Sequence, residues 1–315
     1  MSVKDRIRYG LAAAIARLVP PGVMFDRAHF EIWQKHGYSI VPNHFYYPIP
    51  LLADIPEKVW TTPSQMVGVD LRVPEQVALI EEFAARYKDE YEAFPRESNG
   101  DPTAFYLNND TFSTTNAEIS YSMIRHFKPR RVIEVGSGRS TLVALAATSK
   151  NAETGGPTCD FTSIEPYPNP TIRALAERKA LRLIESPVQR VGIEEFEKLE
   201  ENDIFFIDSS HILAIGSDVE YEFLELLPRL RKGVVVHVHD IFFPMNYRKR
   251  HILRDHTFFH EQYLLQAFLM FNSEFEVLVS DSYLHFTQPE VLRKAFANYD
   301  PAKHEPGSFW MRRKP

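Results

Sequence analysis

The sequence predicts a doubly wound α/β domain behind an irregular, partly helical N-terminal cap, and three observations predict it. From residue 117 onward, short β-branched and aromatic runs alternate with amphipathic segments of helical length, the pattern of βαβ crossovers in a parallel sheet. The first of these runs passes through two glycines, Gly136 and Gly138, directly into a helix-forming stretch. Upstream of residue 115 the alternation is missing, and prolines recur at Pro42, Pro48, Pro50, Pro56, Pro63 and Pro74. The expected division is a helix and cap over residues 1–114 and a sheet domain over residues 115–315; at ~150 residues per domain the length allows both.

In chain order, Val3, Ile7, Leu11, Ala14, Ile15 and Leu18 share one face of an N-terminal amphipathic helix. Arg17 interrupts its apolar run and Pro20-Pro21-Gly22 follows it, which does not fit a signal sequence, so a cytoplasmic protein is expected. The helix is expected to pack on the body or on a second subunit, giving a homodimer; a membrane-surface role and a targeting role are the alternatives. Pro42 to Pro50 reads as extended chain, because proline fixes φ and restricts the residue before it. A helix is expected from Pro74 to about Phe94. The expected strands are Arg131–Val135, Phe161–Glu165, Leu181–Glu185, Ile204–Asp208, Val234–His239 and Phe275–Val279, with Ser308–Met311 as an edge strand. Helices are expected around Ser140–Ser149, Thr171–Lys179, Ile193–Leu199, Val219–Leu230 and His260–Phe271.

Composition narrows the function classes. Hydrophobic residues make up 44% and charged residues 25%, ordinary for a globular chain with a sizeable core. Lys and Arg total 36 against 42 for Asp and Glu, a net charge of −6 that argues against a dedicated nucleic-acid binder. The single cysteine, Cys159, excludes an intramolecular disulfide framework. No run approaches the ~20 apolar residues that cross a bilayer.

Ligands of open α/β sheets bind beyond the carboxyl ends of the strands, near the point where strand order reverses. Chemistry-bearing residues stand at those ends: Gly136 and Gly138 after the first strand, Glu165 after the second, Asp208-Ser-Ser-His211 after the fourth and His237-Val-His-Asp240 after the fifth. Glycines let a ligand approach main-chain N–H groups, and an acid on the second strand can accept from both hydroxyls of a ribose. Each has a plainer reading. Asp208 could be a helix N-cap, and His237 alternates with Val236 and Val238 as an interior residue would.

At these residues the sequence resembles the class I S-adenosylmethionine-dependent methyltransferases. Glu134-Val-Gly-Ser-Gly138 is similar to the family's first motif, acid-x-Gly-x-Gly, and Glu165 to its ribose-binding acid. Asp203-Ile-Phe-Phe-Ile-Asp208 resembles the fourth motif, and Arg231-Lys-Gly-Val-Val-Val236 the lead into the fifth strand. The segments Asp208–His211, His239–Pro244 and Glu261–Leu265 bring it near the bacterial subfamily known as methyltransferase family 24; Ser140 stands where many members carry a third glycine. The resemblance spans residues 115–315. It implies a Rossmann-like methyltransferase sheet and S-adenosylmethionine as cofactor, its methionine portion over Gly136–Gly138 and its ribose on Glu165. Ser186 to Gln189 would flank the adenine, with Glu134, Ser137, Ser140 and Asp208 completing the cofactor site. A dehydrogenase is the competitor, but Thr141 fits its third glycine position poorly and Glu165 lies too far along.

Methyl transfer is an in-line displacement, and a hydroxyl acceptor must also lose its proton. In the related catechol and caffeoyl O-methyltransferases a divalent metal and a lysine serve this step. Asp208 and Asp240 match two of their metal ligands, Ile241 stands at the third, and His211 falls at the lysine. With His211, Asp208, His239 and Asp240 as the catalytic candidates, two readings stay open: His211 as general base with a pKa near working pH and no metal, or Mg²⁺ held through water by Asp208 and Asp240, with or without His239. The expected partner is a small-molecule acceptor attacking through oxygen, not nucleic acid, with His44, Tyr46, Tyr47 and Asn109 as candidate acceptor-binding residues. A binding protein without turnover and a macromolecular methyltransferase, with Arg248-Lys-Arg250 and Arg312-Arg-Lys314 as its footprint, are the other readings.

Overall fold

Arg131–Val135, buried from Val132 onward, is the central strand β1 of a seven-stranded sheet. The other strands are β2 (Asp160–Ile164), β3 (Arg182–Ile184), β4 (Ile204–Ile207), β5 (Val235–Val238), β6 (Phe275–Ser280) and β7 (Phe309–Arg313). This computed structural model describes residues 2–19, 26–112 and 114–315; the expected break at Pro20-Pro21-Gly22 lies outside the described residues. Strand order is β3-β2-β1-β4-β5-β7-β6, parallel from β3 to β5, with β7 antiparallel to both neighbours. The order reverses between β1 and β4, so the crevice beyond Val135 and Ile207, which are register partners, is the switch point.

Successive side chains of each strand feed opposite faces. Ile204 and Phe206 of β4 join one apolar layer, while Phe205 and Ile207 join the other. Helices α4 (Val73–Tyr91), α5 (Thr114–Phe127), α6 (Arg139–Glu153), α7 (Pro170–Glu177), α12 (Asp281–Thr287) and α13 (Pro289–Ala295) supply the first layer. The one-turn helices α8 (Ile193–Phe196) and α9 (Asp218–Tyr221), with α11 (Glu261–Leu269), supply the second, and the short α10 (Lys249–Leu253) precedes α11 in the chain. Each fully buried Phe in these layers stabilises the fold by ~1.5–3 kcal/mol through transfer from water.

The chain divides into two compact units, Met1–Val59 and Trp60–Pro315. The division expected at 114/115 falls inside the second unit, because α4 buries Ile80, Phe83, Tyr87 and Tyr91 in the sheet's own core. In the first unit, α1 (Val3–Leu18) starts in a capping box between Ser2 and Asp5, and Asp26 caps α2 (Arg27–Lys35); neither helix buries a residue. The single turn α3 (Lys58–Thr61) runs across the boundary.

Three expectations need correction. The terminal strand is not an edge: Phe309, Trp310 and Met311 are fully buried, an apolar run suited to insertion between β5 and β6. The helix α5 lies where no helix is expected from sequence, because nearly all of Thr114–Arg125 is buried and no polar stripe marks a period. The helix expected over Val219–Leu230 begins as α9, then widens to a π turn at Glu222–Leu226 and tightens to a 3₁₀ turn at Leu227–Arg229, where Pro228 cannot donate to the ladder.

Candidate active site

The turn after β1 is shaped by close backbone approach. Gly136 adopts φ +80° and its N–H donates to the Ile164 carbonyl at 3.0 Å. A Cβ there would stand 2.0 Å from the Asp208 carbonyl oxygen, so only glycine fits. Behind the turn Glu134 is buried and accepts from Ser140 Oγ (2.7 Å) and Thr141 Oγ1 (2.6 Å), while the Gly138 N–H donates to Thr141 Oγ1 (3.0 Å). Burial pushes the Glu134 carboxyl up to about 8. Glu165 faces the turn and accepts from the N–H groups of Ser137 (3.3 Å) and Tyr167 (2.7 Å).

These groups open onto a cavity of about 480 Å³, the size of small-molecule sites. Gly136–Ser140, Glu165, Asp208, His239 and Asp240 line it, with Asp110–Phe112, Arg248, Arg250 and His251. His211, 7% exposed, is not itself a lining residue but packs against two that are, Asp208 and Asp240. Its Nδ1 lies 2.7 Å from Glu261 Oε2, and its Nε2 is 3.5 Å from Asp208 Oδ1 and 3.6 Å from Asp240 Oδ2. Burial alone would lower the His211 pKa, but Asp208 and Glu261 outweigh it and hold the imidazole well above 6.5. Burial would likewise raise Asp208, yet His239 and His211 hold it at about 2.

The loop carrying His211 is held by carboxylates from three elements. Asp218 accepts from the Ser210 N–H (3.0 Å) and hydroxyl (2.6 Å), and Ser209 Oγ donates to Glu222 in the π turn (2.9 Å). Glu261 begins α11, and the His260 N–H donates to the His211 carbonyl at 2.9 Å. His211 (φ +61°) and Asp240 (φ +53°) both sit in the left-handed region, a cost of ~1–3 kcal/mol each that the surrounding contacts must offset.

Other candidates are placed differently. Gln189 is exposed, with its amide 3.3 Å from the Gly216 carbonyl, and does not line the cavity. Asn109 is buried; it accepts from the Thr111 and Phe112 N–H groups and donates to the Tyr106 and Phe112 carbonyls, bracing the loop that presents Asp110–Phe112. His239 has Nδ1 3.4 Å from Ser308 Oγ and its ring 5.0 Å from Phe112. His237 is fully buried, stacked on Phe206 at 3.8 Å, and burial drives its pKa well below 6.5. His44, Tyr46 and Tyr47 belong to the first unit, where the His44, Phe45 and Tyr46 rings cluster within 4.8 Å. Sequence reasoning gave no role to Glu261 or His251, and read Arg248 and Arg250 only as a nucleic-acid footprint. The signal for Glu261 was an acid in an otherwise apolar and amide stretch.

Residues 133–241 match the family model of a methyltransferase domain, the family 24 named above. The chain belongs to that methyltransferase family. An uncharacterized protein of Archaeoglobus fulgidus is 34% identical over 175 residues, 53% of this chain and 77% of the relative. Among solved structures, this methyltransferase is similar to the S-adenosylhomocysteine-bound methyltransferase PaMTH1 of Podospora anserina (17% identity, 76% of this chain and 88% of that one, TM-score 0.40). It is also similar to the 1,6-didemethyltoxoflavin-N1-methyltransferase of Burkholderia thailandensis (13% identity, 80% and 94%, TM-score 0.36).

The methyltransferase's cavity suits its cofactor: an open glycine turn, main-chain donors and a facing carboxylate at Glu165 are the groups a nucleoside with an amino-acid tail needs. A divalent cation fits less well. The space between Asp208 and Asp240 is faced by an imidazole with raised proton affinity, and Ile241, at the third ligand position, is fully buried among apolar side chains. Among the described residues, no group of three His, Cys, Asp or Glu side chains is arranged to hold a metal.

Proposed function

We propose that the enzyme transfers the methyl group of S-adenosylmethionine to an oxygen of a small-molecule acceptor, with His211 as the base. The observation that carries this reading is the buried Glu261–His211 pair, whose second ring nitrogen, Nε2, faces Asp208 and Asp240 of the cavity lining. When bound, the cofactor supplies an electrophilic methyl on a sulfonium. The residues do the rest. The Gly136–Gly138 turn and Glu165 orient the cofactor, and neutral His211 takes the acceptor's hydroxyl proton on Nε2. Glu261, accepting from Nδ1–H, stabilises the imidazolium that forms. Because the carboxylates raise the His211 pKa, turnover is expected to rise with pH as the imidazole gives up its proton. No step needs a metal, since the carboxylates that would hold one serve the imidazole.

The test is transfer of labelled methyl to a panel of hydroxylated small molecules by wild type and His211→Ala, alongside cofactor affinity for both. Label transferred by wild type and lost in the variant, at equal affinity, is expected. Equal turnover in both overturns the assignment of the base. Cofactor binding with no transfer to any acceptor favours a binding protein without turnover.

A further inference from the structure

The helix α1 has an apolar stripe that is exposed among the described residues. Val3 is 74% exposed, Leu11 62% and Leu18 79%, and the helix buries no residue. Contiguous apolar surface of this kind marks a contact site. Its charges indicate which one. At ~100° per residue, Val3, Ile7, Leu11, Ala14, Ile15 and Leu18 fall within an arc of about 120°, with Lys4 just inside one edge, Arg8 just outside it, and Arg6 and Arg17 along the other edge. The one acid, Asp5, lies on the far side and is tied into the capping box by the Ser2 N–H and hydroxyl.

We infer that α1 lies on an anionic lipid surface, its apolar stripe among the acyl chains and its four cations on lipid phosphates. Cations on both edges of an apolar stripe are what an interfacial helix needs: long basic side chains lay their stems along the apolar zone and reach headgroup phosphates. A second copy suits the face less well. Parallel pairing sets each cation against itself, antiparallel pairing sets Arg17 against Lys4 and Arg6, and no acid borders the stripe to compensate. Insertion across the bilayer is excluded for α1, since no helix of the described residues is long and apolar enough to span one. The chain's overall charge of −6 makes a basic helix the natural element to approach an anionic surface.

The test is flotation of the full chain with phosphatidylcholine vesicles, with and without phosphatidylglycerol. Binding to the anionic vesicles at least tenfold tighter than to the neutral ones, weakened by salt, is expected. The substitutions Ile7→Glu and Leu11→Glu together should abolish it, with thermal melting unchanged because no core residue is altered. Arg6→Gln with Arg8→Gln should remove only the preference for anionic vesicles. Wild type that floats with neither vesicle overturns the inference. So does a dimer, detected by sedimentation, that Ile7→Glu and Leu11→Glu dissociate while vesicles capture nothing.

Discussion

His211 and Glu261, fifty residues apart in sequence, form a buried pair in which Nδ1 meets Oε2 at 2.7 Å and leaves Nε2 facing Asp208 and Asp240. The pair joins the loop after β4 to the first residue of α11, and its chemistry sets several expected outcomes.

Replacing Glu261 with Gln keeps the volume and removes the charge that helps hold the His211 pKa up. Methyl transfer should fall by ~10²–10⁴-fold, the usual worth of an oriented general base, with cofactor affinity unchanged. The pH at which the rate rises should also move down. A variant with the wild-type pH profile would mean that Glu261 does not act through His211.

Folding stability should respond to pH through the same imidazole. Its folded-state pKa lies well above the unfolded value of 6.5, so the folded state binds the proton more tightly. The stability this contributes is fully present below about pH 6.5 and is lost as pH rises through the folded value. The Tm of wild type relative to His211→Gln should therefore fall on going from neutral to alkaline buffer. A constant difference across that range contradicts the assignment.

Glu134 gives a second pH signature. With its carboxyl at about 8, it is neutral in the fold while its unfolded counterpart ionises near 4.5, so wild type loses stability as pH rises from 4.5 to about 8. The limiting slope is ~1.4 kcal/mol per pH unit. Glu134→Gln should gain on wild type through that window and no further above it, as urea titrations at several pH values would reveal.

The two glycines should behave differently. Gly136→Ala meets the Asp208 carbonyl at φ +80° and should cost at least ~2 kcal/mol. At Gly138 a Cβ meets nothing within 4 Å, so Gly138→Ala should cost less stability than Gly136→Ala and act mainly by intruding on the cofactor. Comparing the Tm and cofactor affinity of both variants checks this.

Chelation separates the two proton-removal readings. Activity should survive EDTA and be unchanged by Mg²⁺. Loss restored by Mg²⁺ would return Asp208 and Asp240 to the role of metal ligands.

The sheet was legible because its strands are dense β-branched and aromatic runs bounded by glycine and acid. Val132–Val135 and Ile204–Ile207 fall where those runs lie. The convergence of Gly136, Glu165, Asp208 and Asp240 on one cavity followed from topology, since residues at strand ends meet at a switch point wherever their helices pack. Buried helices such as α5 were not legible, because a segment covered on all sides loses the polar stripe that marks a period. Glu261 stayed without a role for a different reason. Its partner is fixed only when α11 docks against the loop after β4, a contact that no local pattern encodes. Likewise, the three carboxylates crowding His211 could not be counted from sequence, so its raised pKa emerged only with the fold.

The most direct test of the central claim is calorimetric titration of S-adenosylmethionine into the wild-type protein and His211→Ala. Micromolar binding, ~−8 kcal/mol, to both is expected if, as proposed, the Gly136–Gly138 turn and Glu165 bind the cofactor and His211 serves the acceptor. No heat of binding to wild type would contradict the reading of this cavity as a methyltransferase active site.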